Sequence, residues 1–246
     1  MRRIALIPAR LGATRFPRKL LAPLGGKTVI RRTFEAVRDT GLFDAVMVVT
    51  DSEEIRAEVE RAGGEARMSR REHESGTDRI AEVVEGLPAD LVLNVQGDEP
   101  FTRREPLEKL LAAFDGPEGR EVGVASLMQE LTDPELVRDP NYVKVVVDAA
   151  GRALLFSRAP IPYVRDPAAR PVFWEHIGVY AFRREALLRF ARLPAGTLER
   201  AEKVECLRFL EHGIRMRMVA TDYMGVEIDT PEDLRRAERL LAGEKG

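Results

Sequence analysis

Ile4-Ala5-Leu6-Ile7-Pro8-Ala9-Arg10-Leu11-Gly12-Ala13-Thr14-Arg15-Phe16-Pro17-Arg18-Lys19 runs from an apolar stretch straight into a basic loop. Ile4 to Ile7 is apolar on both faces and closed by Pro8, which predicts a short buried strand. Arg10, Arg15 and Lys19 can then converge on one anion, since Arg offers a fork matched to phosphate oxygens and Lys a compact charge. Gly12 permits close backbone approach. The loop is neither a Walker loop nor a dinucleotide fingerprint, because both glycine patterns are absent, and Gly25-Gly26-Lys27 alone is a weak signal. A solvated basic surface loop is the competing reading.

Outward from this segment, strand and helix patterns alternate. Thr28 to Arg38 has helical spacing, and Ala45 to Thr50 reads as a second buried strand. Ser52 opens a helix over Glu53 to Ala62 that Gly63-Gly64 stops. A short strand at Glu65 to Met68, a helix over Thr77 to Glu85, a strand over Leu91 to Gln96 and a helix from about Glu105 to Phe114 follow. This alternation predicts an α/β fold with a doubly wound, mainly parallel sheet, in which ligands bind beyond the C-terminal strand ends. The loops after Ile7, Thr50 and Gln96 then share one edge.

Beyond about residue 122 the pattern changes. Val122–Leu127, Val143–Val147, Ala153–Ser157 and His176–Phe182 read as strands with few long helices between them. They predict a smaller, more antiparallel insertion over about 128–210, with about 1–127 and 211–246 as the core of one domain. Asp166 to Pro171 reads as an exposed loop, Leu198 to Leu210 as one helix and Met216 to Ala220 as a strand. Thr230-Pro231-Glu232-Asp233 opens the last helix, with Thr as N-cap and Pro at the first helical position.

Composition excludes several classes. The chain has 246 residues, 33% charged, with a formal net charge of -2. That balance argues against a general nucleic-acid or membrane-surface binder. No apolar run reaches the ~20 residues that span a bilayer, and the apolar start is too short for a signal peptide. With Cys206 as the lone cysteine there is no intrachain disulfide framework, and a cytoplasmic location is expected.

Asp98 follows the strand at Leu91–Gln96, and Asp229 precedes the last helix. A triphosphate calls for a hard cation with oxygen ligands, so the two aspartates are candidate Mg²⁺ ligands. Their alternatives are a turn residue at Asp98 and a capping role at Asp229.

P-A-R-L-G-A-T-R-F-P-R-K (Pro8–Lys19), H-E-S-G-T-D-R (His73–Arg79), N-V-Q-G-D-E-P (Asn94–Pro100), F-S-R-A-P-I-P (Phe156–Pro162), H-I-G-V-Y (His176–Tyr180) and I-D-T-P-E-D-L (Ile228–Leu234) occur in this order. Together they resemble the 3-deoxy-manno-octulosonate (Kdo) cytidylyltransferases, within the sugar nucleotidyltransferases, over nearly the whole chain. The resemblance implies a Rossmann-like nucleotidyltransferase fold, an insertion used for sugar binding and dimerisation, and a homodimer. It implies that CTP and Kdo give CMP-Kdo and diphosphate with Mg²⁺, for lipopolysaccharide biosynthesis. By the same resemblance Arg10, Arg15 and Lys19 hold the triphosphate, and Pro8 and Ala9 lie along the nucleoside. Ser75, Gly76 and Arg79 complete the cytidine site. Gln96 reaches sugar or nucleotide, Asp98 and Asp229 bind Mg²⁺, and Arg10, Lys19, Asp98 and Asp229 form the catalytic set. Arg158, His176 and Tyr180 contact the acid sugar, with Arg158 on its carboxylate.

Each of these has a plainer reading. Arg158 could be a surface ion-pair partner, Ser75 a helix cap, and His176 with Tyr180 one face of a core strand. If the segment Leu198–Leu210 is one helix, Glu202, Glu205, Cys206 and Phe209 share a face. The resemblance assigns Glu205, with Glu202 beside it, to sugar hydroxyls; a solvated helix face is the alternative. Family members often carry Ser at Ala13 and Gln at Cys206. The latter change leaves room for a related acid, such as an amino-substituted Kdo or another ulosonic acid. A non-catalytic nucleotide-binding module is the remaining alternative, against which Asp98 and Asp229 argue together.

Overall fold

The computed structural model describes residues 1–12, 15–73, 75–223 and 225–243, so the departure at Ala13 lies outside the described residues. The chain forms two compact units, Met1–Glu105 with Met224–Gly246, and Pro106–Tyr223. It passes between them at 105/106 and 223/224, not at the expected 127/128 and 210/211. The reason is strand pairing: the strands at Val124–Glu130 and Met216–Ala220 bond to each other.

The first unit contains β1 (Arg3–Ala9), β2 (Pro23–Leu24), β3 (Lys27–Thr28), α1 (Val29–Asp39), β4 (Ala45–Thr50), α2 (Glu53–Arg61), β5 (Glu65–Met68), α3 (Gly76–Val84) and β6 (Leu91–Asn94). Its strands run β6-β1-β4-β5, all parallel. The chain winds outward from β1 through β4 to β5, then returns to the other side of β1 for β6. The winding therefore reverses at β1 and β6, which is where such sheets open a crevice beyond their C-terminal strand ends. β1, β6 and the end of β4 are buried on both faces, as continuous apolar runs require in a covered parallel sheet.

The helices are fixed by side chains legible in the sequence. Thr28 caps α1 by accepting from Arg31 N, and Val29, Ile30, Phe34 and Val37 bury one face. Each such side chain contributes about 1.5–3 kcal/mol when fully buried. Ser52 caps α2, and Gly63, at φ 74, ends it. Gly25 and Gly26 have φ 53 and 80 and form the tight turn of the β2–β3 hairpin, so this glycine pair serves a turn and not a phosphate.

α4 (Arg104–Ala112) leads into the second unit, which contains α5 (Gly116–Gly119), β7 (Val124–Glu130), α6 (Pro134–Arg138), β8 (Lys144–Val147), β9 (Ala153–Ser157), β10 (Trp174–Arg183), α7 (Arg184–Phe190), α8 (Thr197–Glu202), α9 (Leu207–Glu211) and β11 (Met216–Ala220). β10 pairs antiparallel with β7 and β8, and β8 antiparallel with β9; β11 runs parallel to β7. The more antiparallel middle of the chain is as expected. Its core is a run of rings, Phe156, His176, Tyr180, Phe182, Phe209 and Phe190, each within 6.0 Å of the next. α10 (Pro231–Leu241) returns the chain to the first unit, with the Thr230 cap answered by Asp233 in a capping box.

The helix expected over Leu198–Leu210 is instead two, α8 and α9, with Lys203 left-handed at φ 54 between them. Other residues satisfy the break. Glu202 turns its carboxylate to Ser157 Oγ at 2.7 Å and Arg158 N at 2.9 Å. The Arg158 guanidinium then takes the freed carbonyls of Glu202, at 2.7 Å, and Lys203, at 3.4 Å. Glu202, Glu205, Cys206 and Phe209 therefore do not share one helix face.

Candidate active site

Lys19 stands at the centre of the first unit's cavity. Residues Lys19–Leu21 form a single 3-10 turn, entered through Arg18 in the left-handed region at φ 60. The turn follows the loop that leaves the C-terminal end of β1. Lys19 Nζ donates to Asp98 Oδ2 at 2.5 Å and to Asp229 Oδ1 at 2.7 Å. Burial opposes its charge, but Asp98 and Asp229 outweigh that and raise its pKa. Arg15 adds a second link to Asp229, at 2.7 Å. Arg18, by contrast, pairs with Glu54 at the surface.

Backbone contacts explain why two distant aspartates meet. Thr33 Oγ1 on α1 donates to Gly97 O at 2.8 Å and steadies the loop after β6. Ile228 N donates to Asp98 O at 3.0 Å, which ties the segment before α10 to the same loop. Gly225 packs against Phe101, where an added Cβ would come within 2.5 Å of that side chain. Asp229 N donates to Asp233 Oδ2, so the capping is done by Thr230 and Asp233 while the Asp229 carboxylate is left for Lys19 and Arg15. Asp98, besides its turn position, aims its side chain at the same lysine.

The acids include one that the sequence reading missed. Carboxylate oxygens of Asp98, Glu227 and Asp229 lie within 4.8 Å of one another. Desolvation within the cleft, then the charges of Asp98 and Asp229, push the Glu227 carboxyl up to about 8. Glu227 is itself exposed to solvent. Asp98 Oδ1 is buried and has no hydrogen-bond partner among the described residues. An orphaned buried oxygen among close carboxylates suits a hard cation, since Mg²⁺ takes oxygen ligands and keeps waters besides. Glu227 stands just before the I-D-T-P-E-D-L stretch, two residues from Asp229, and its acidity was the available signal.

The cavity is lined by the residues expected for the nucleotide, Pro8, Ala9, Arg10, Arg15, Lys19, Ser75, Gly76, Arg79, Gln96 and Asp98, together with Asp229. Gly12, Leu20, His73 and Gly97 also line it. Arg10 is exposed and has no ion pair among the described residues. Ser75 is the N-cap of α3, accepting from Asp78 N and donating to Asp78 Oδ2, so its plainer reading is realised at the cavity wall. Arg79 is buried and held by Asp51 at 2.7 Å and Ser69 at 2.6 Å, which joins the chain just past β4 to that past β5. Gln96 donates to Asn94 Oδ1 at 3.2 Å. Gly76 is closely packed: a Cβ there would lie 3.0 Å from Pro8 Cγ and 3.2 Å from Gln96 Oε1, so those side chains would have to give way.

The candidates for the acid sugar, Gln96 apart, belong to the second unit. His176 and Tyr180 lie on β10 across a register shift, their rings 5.5 Å apart. Ser126 Oγ lies 3.1 Å from His176 Nε2, and 2.8 and 2.9 Å from the carbonyls of Ile177 and Val179. Carbonyls only accept, so the hydroxyl's proton goes to them and Nε2–H donates to the hydroxyl. Desolvation drives the His176 pKa down to about 3, although its side chain keeps a partly exposed edge. The ring is therefore neutral at physiological pH. Tyr180 is buried and hydrogen-bonds the Cys206 thiol, which burial and then the charge of Glu205 push well up. Arg158 is bound by the carbonyls of Glu202, Pro140 and Lys203, not by an acid's side chain. Glu202 is committed to Ser157 and Arg158 N, while Glu205 precedes α9.

A cytidylyltransferase family profile matches residues 4–218. A 3-deoxy-manno-octulosonate cytidylyltransferase of Flavobacterium johnsoniae is 54% identical over 98% of this chain and 99% of its own. One from Christiangramia forsetii is 51% identical over 97% of this chain and 96% of its own. Among solved structures, a CMP:2-keto-3-deoxy-manno-octonic acid synthetase complexed with CTP superposes with a TM-score of 0.93 at 37% identity, covering 100% of both chains. A 4-diphosphocytidyl-2C-methyl-D-erythritol synthase from Anaerococcus prevotii, at 19% identity and a TM-score of 0.63, shares the fold. On this extent of likeness the chain belongs to the 3-deoxy-manno-octulosonate cytidylyltransferase family.

Proposed function

We propose that this protein transfers CMP from CTP to the anomeric hydroxyl of Kdo, releasing diphosphate and supplying CMP-Kdo for lipopolysaccharide synthesis. The observation that carries this reading is the meeting of Lys19 with both Asp98 and Asp229 at the parallel sheet's switch point. Membership in the family supplies the substrates.

The hydroxyl oxygen attacks the α-phosphorus in line, an O–P bond forms as the hydroxyl proton is lost to solvent, and the bond from the α-phosphorus to the oxygen bridging to the β-phosphate breaks, so that oxygen leaves on diphosphate. Negative charge builds on the phosphoryl oxygens and the departing diphosphate. Arg10, Arg15 and Lys19 line the cavity where that charge would lie. Asp98 and Asp229, with Glu227 beside them, would hold Mg²⁺. When bound, Mg²⁺ supplies charge neutralisation and orientation of the phosphate oxygens. Lys19 and Arg15, now on those aspartates, would be the donors available to phosphate once the acids held the ion. Pro8, Ala9, Ser75, Gly76 and Arg79 form the rest of the nucleotide wall.

For the acid sugar we assign Gln96, Arg158, His176, Tyr180, Glu202 and Glu205. Arg158 uses some of its donors on carbonyls, and a guanidinium has five N–H groups, so donors remain for a carboxylate. His176, neutral and partly exposed, offers hydrogen bonds without charge. Glu202 supports Arg158 and Ser157 and acts through them.

We also place the protein in the cytoplasm, as a homodimer acting on small molecules and on neither nucleic acid nor membrane. Among the described residues no helix is long and apolar enough to cross a membrane. Leu154, Tyr163, Val164 and Val172 of the second unit are exposed apolar side chains that a second copy would cover. Light scattering should give twice the 27.6 kDa chain mass, and Tyr163→Asp should shift it toward that of one chain.

A diphosphate-release screen over the four nucleoside triphosphates and several acid sugars tests the reaction. The expected result is release with CTP and Kdo above all other pairs. Preference for another ulosonic acid would move the substrate, and no release with CTP and Kdo would overturn the reading.

A further inference from the structure

His73 opens the H-E-S-G-T-D-R motif, and no role above uses it. Its side chain is 5% exposed, and it lines the cavity together with Ser75, Gly76 and Arg79. His73 Nε2 lies 2.6 Å from Glu82 Oε2. Glu82 sits on α3, the helix that Ser75 caps and Gly76 starts at the cavity wall. Its other oxygen accepts from Arg70 N at 2.9 Å. Burial opposes the charge of Glu82, but the His73 and Arg70 hydrogen bonds outweigh it and lower its pKa, so it is an ionised acceptor. Nε2 must then carry the proton in that bond. The other ring nitrogen, Nδ1, has no hydrogen bond among the described residues. A structural core histidine would have both nitrogens satisfied.

Lys19, Arg15, Asp98 and Asp229 are tied to one another, and Arg79 to Asp51, which leaves the uncharged wall of His73, Ser75 and Gly76 for the nucleoside. We propose that His73, fixed by Glu82 in the tautomer with its proton on Nε2, presents Nδ1 as an acceptor to the pyrimidine's 4-position and so selects cytosine over uracil. Cytosine carries an amino group there and donates to the acceptor. Uracil carries a carbonyl, so two acceptors would face each other. The inference rests on the nucleotide reading of this cavity. Glu82 is a positioning residue that acts through the ring.

The test is equilibrium binding of CTP and of UTP, each with Mg²⁺ and without sugar, by calorimetry. Loss of one such hydrogen bond is worth about tenfold in affinity. His73→Phe is expected to weaken CTP by about that factor and UTP by less than about twofold, collapsing the ratio between them. His73→Asn, which keeps an acceptor close to the ring position, is expected to retain most of the ratio. Glu82→Gln should reduce it in part, because an amide no longer dictates which nitrogen holds the proton. An equal loss of both nucleotides in His73→Phe, or an unchanged ratio, overturns the inference. If His73→Phe does not fold, the Asn and Gln variants decide by the same ratio. A wild type that binds both nucleotides alike also overturns the inference, whereas one that binds neither overturns the nucleotide reading itself.

Discussion

The two units use charged side chains in opposite ways. In the first, Lys19, Arg15, Asp98 and Asp229 hold one another at the cavity, and among the described residues Asp98 Oδ1 has no hydrogen-bond partner and Arg10 no ion pair. In the second, charges are spent on the fold. Lys144 is fully buried and donates to the carbonyls of Asp139 and Tyr142. Arg208 pairs with Glu199 at 2.6 Å and stacks over Phe190 at 4.4 Å. Glu202 and Arg158 stitch the break between α8 and α9 to the end of β9. The first arrangement can exchange partners with a metal and a phosphate, whereas most of the second's hydrogen-bonding capacity is already committed to the fold, with donors of Arg158 left over. Charge substitutions should therefore cost chiefly turnover in the first unit and chiefly stability in the second.

The largest test of that contrast is Glu199→Ala. It removes the carboxylate that pairs with the Arg208 guanidinium, whose side chain is 5% exposed. Breaking such a pair costs about 3–5 kcal/mol. Denaturant melts should show this loss, and a change under about 1 kcal/mol would put the pair among surface bridges. Next comes Asp98→Asn. Losing an electrostatic contact to the transition state costs about 10²–10³ in kcat, while the melting temperature should hold or rise. Normal turnover with Mg²⁺ would remove Asp98 from the metal site. Glu202→Gln is smaller: it weakens the hold on Ser157 and Arg158 N and should cost about 1–3 kcal/mol in the same melts.

The smallest effect is the pH response of His176. Its pKa falls from 6.5 to about 3 on folding, so the unfolded chain binds the extra proton between those values. Stability from this ring is full above pH 6.5 and is lost as pH falls toward 3. Melts of the wild type should drop more between pH 7 and pH 5 than those of His176→Gln. Equal slopes would mean the ring titrates normally.

The contrast also explains what the sequence disclosed. In the first unit local signals agree with the fold: β4 and β5 fall where Ala45–Thr50 and Glu65–Met68 were expected, and the caps at Ser52 and Thr230 are those that the spacing predicts. The basic loop was legible because a buried strand leads into it. Its meeting with Asp98 and Asp229 was not, because Thr33, Ile228 and Gly225 arrange it through contacts that no spacing records. Local pattern misled over Leu198–Leu210. Lys203 carries no helix-stop signal, and the break is stabilised by Ser157 and Arg158, more than 40 positions away. The register shift on β10 and the tie from Glu82 to His73 are likewise set by tertiary contact.

Product identification tests the central claim most directly. The protein is incubated with CTP, Kdo and Mg²⁺, and the products are analysed by mass spectrometry beside a diphosphate assay. CMP-Kdo and diphosphate in equal amounts, with no diphosphate when Kdo is omitted, is the predicted result. CTP breakdown that does not depend on Kdo, or no product at all, would contradict the account.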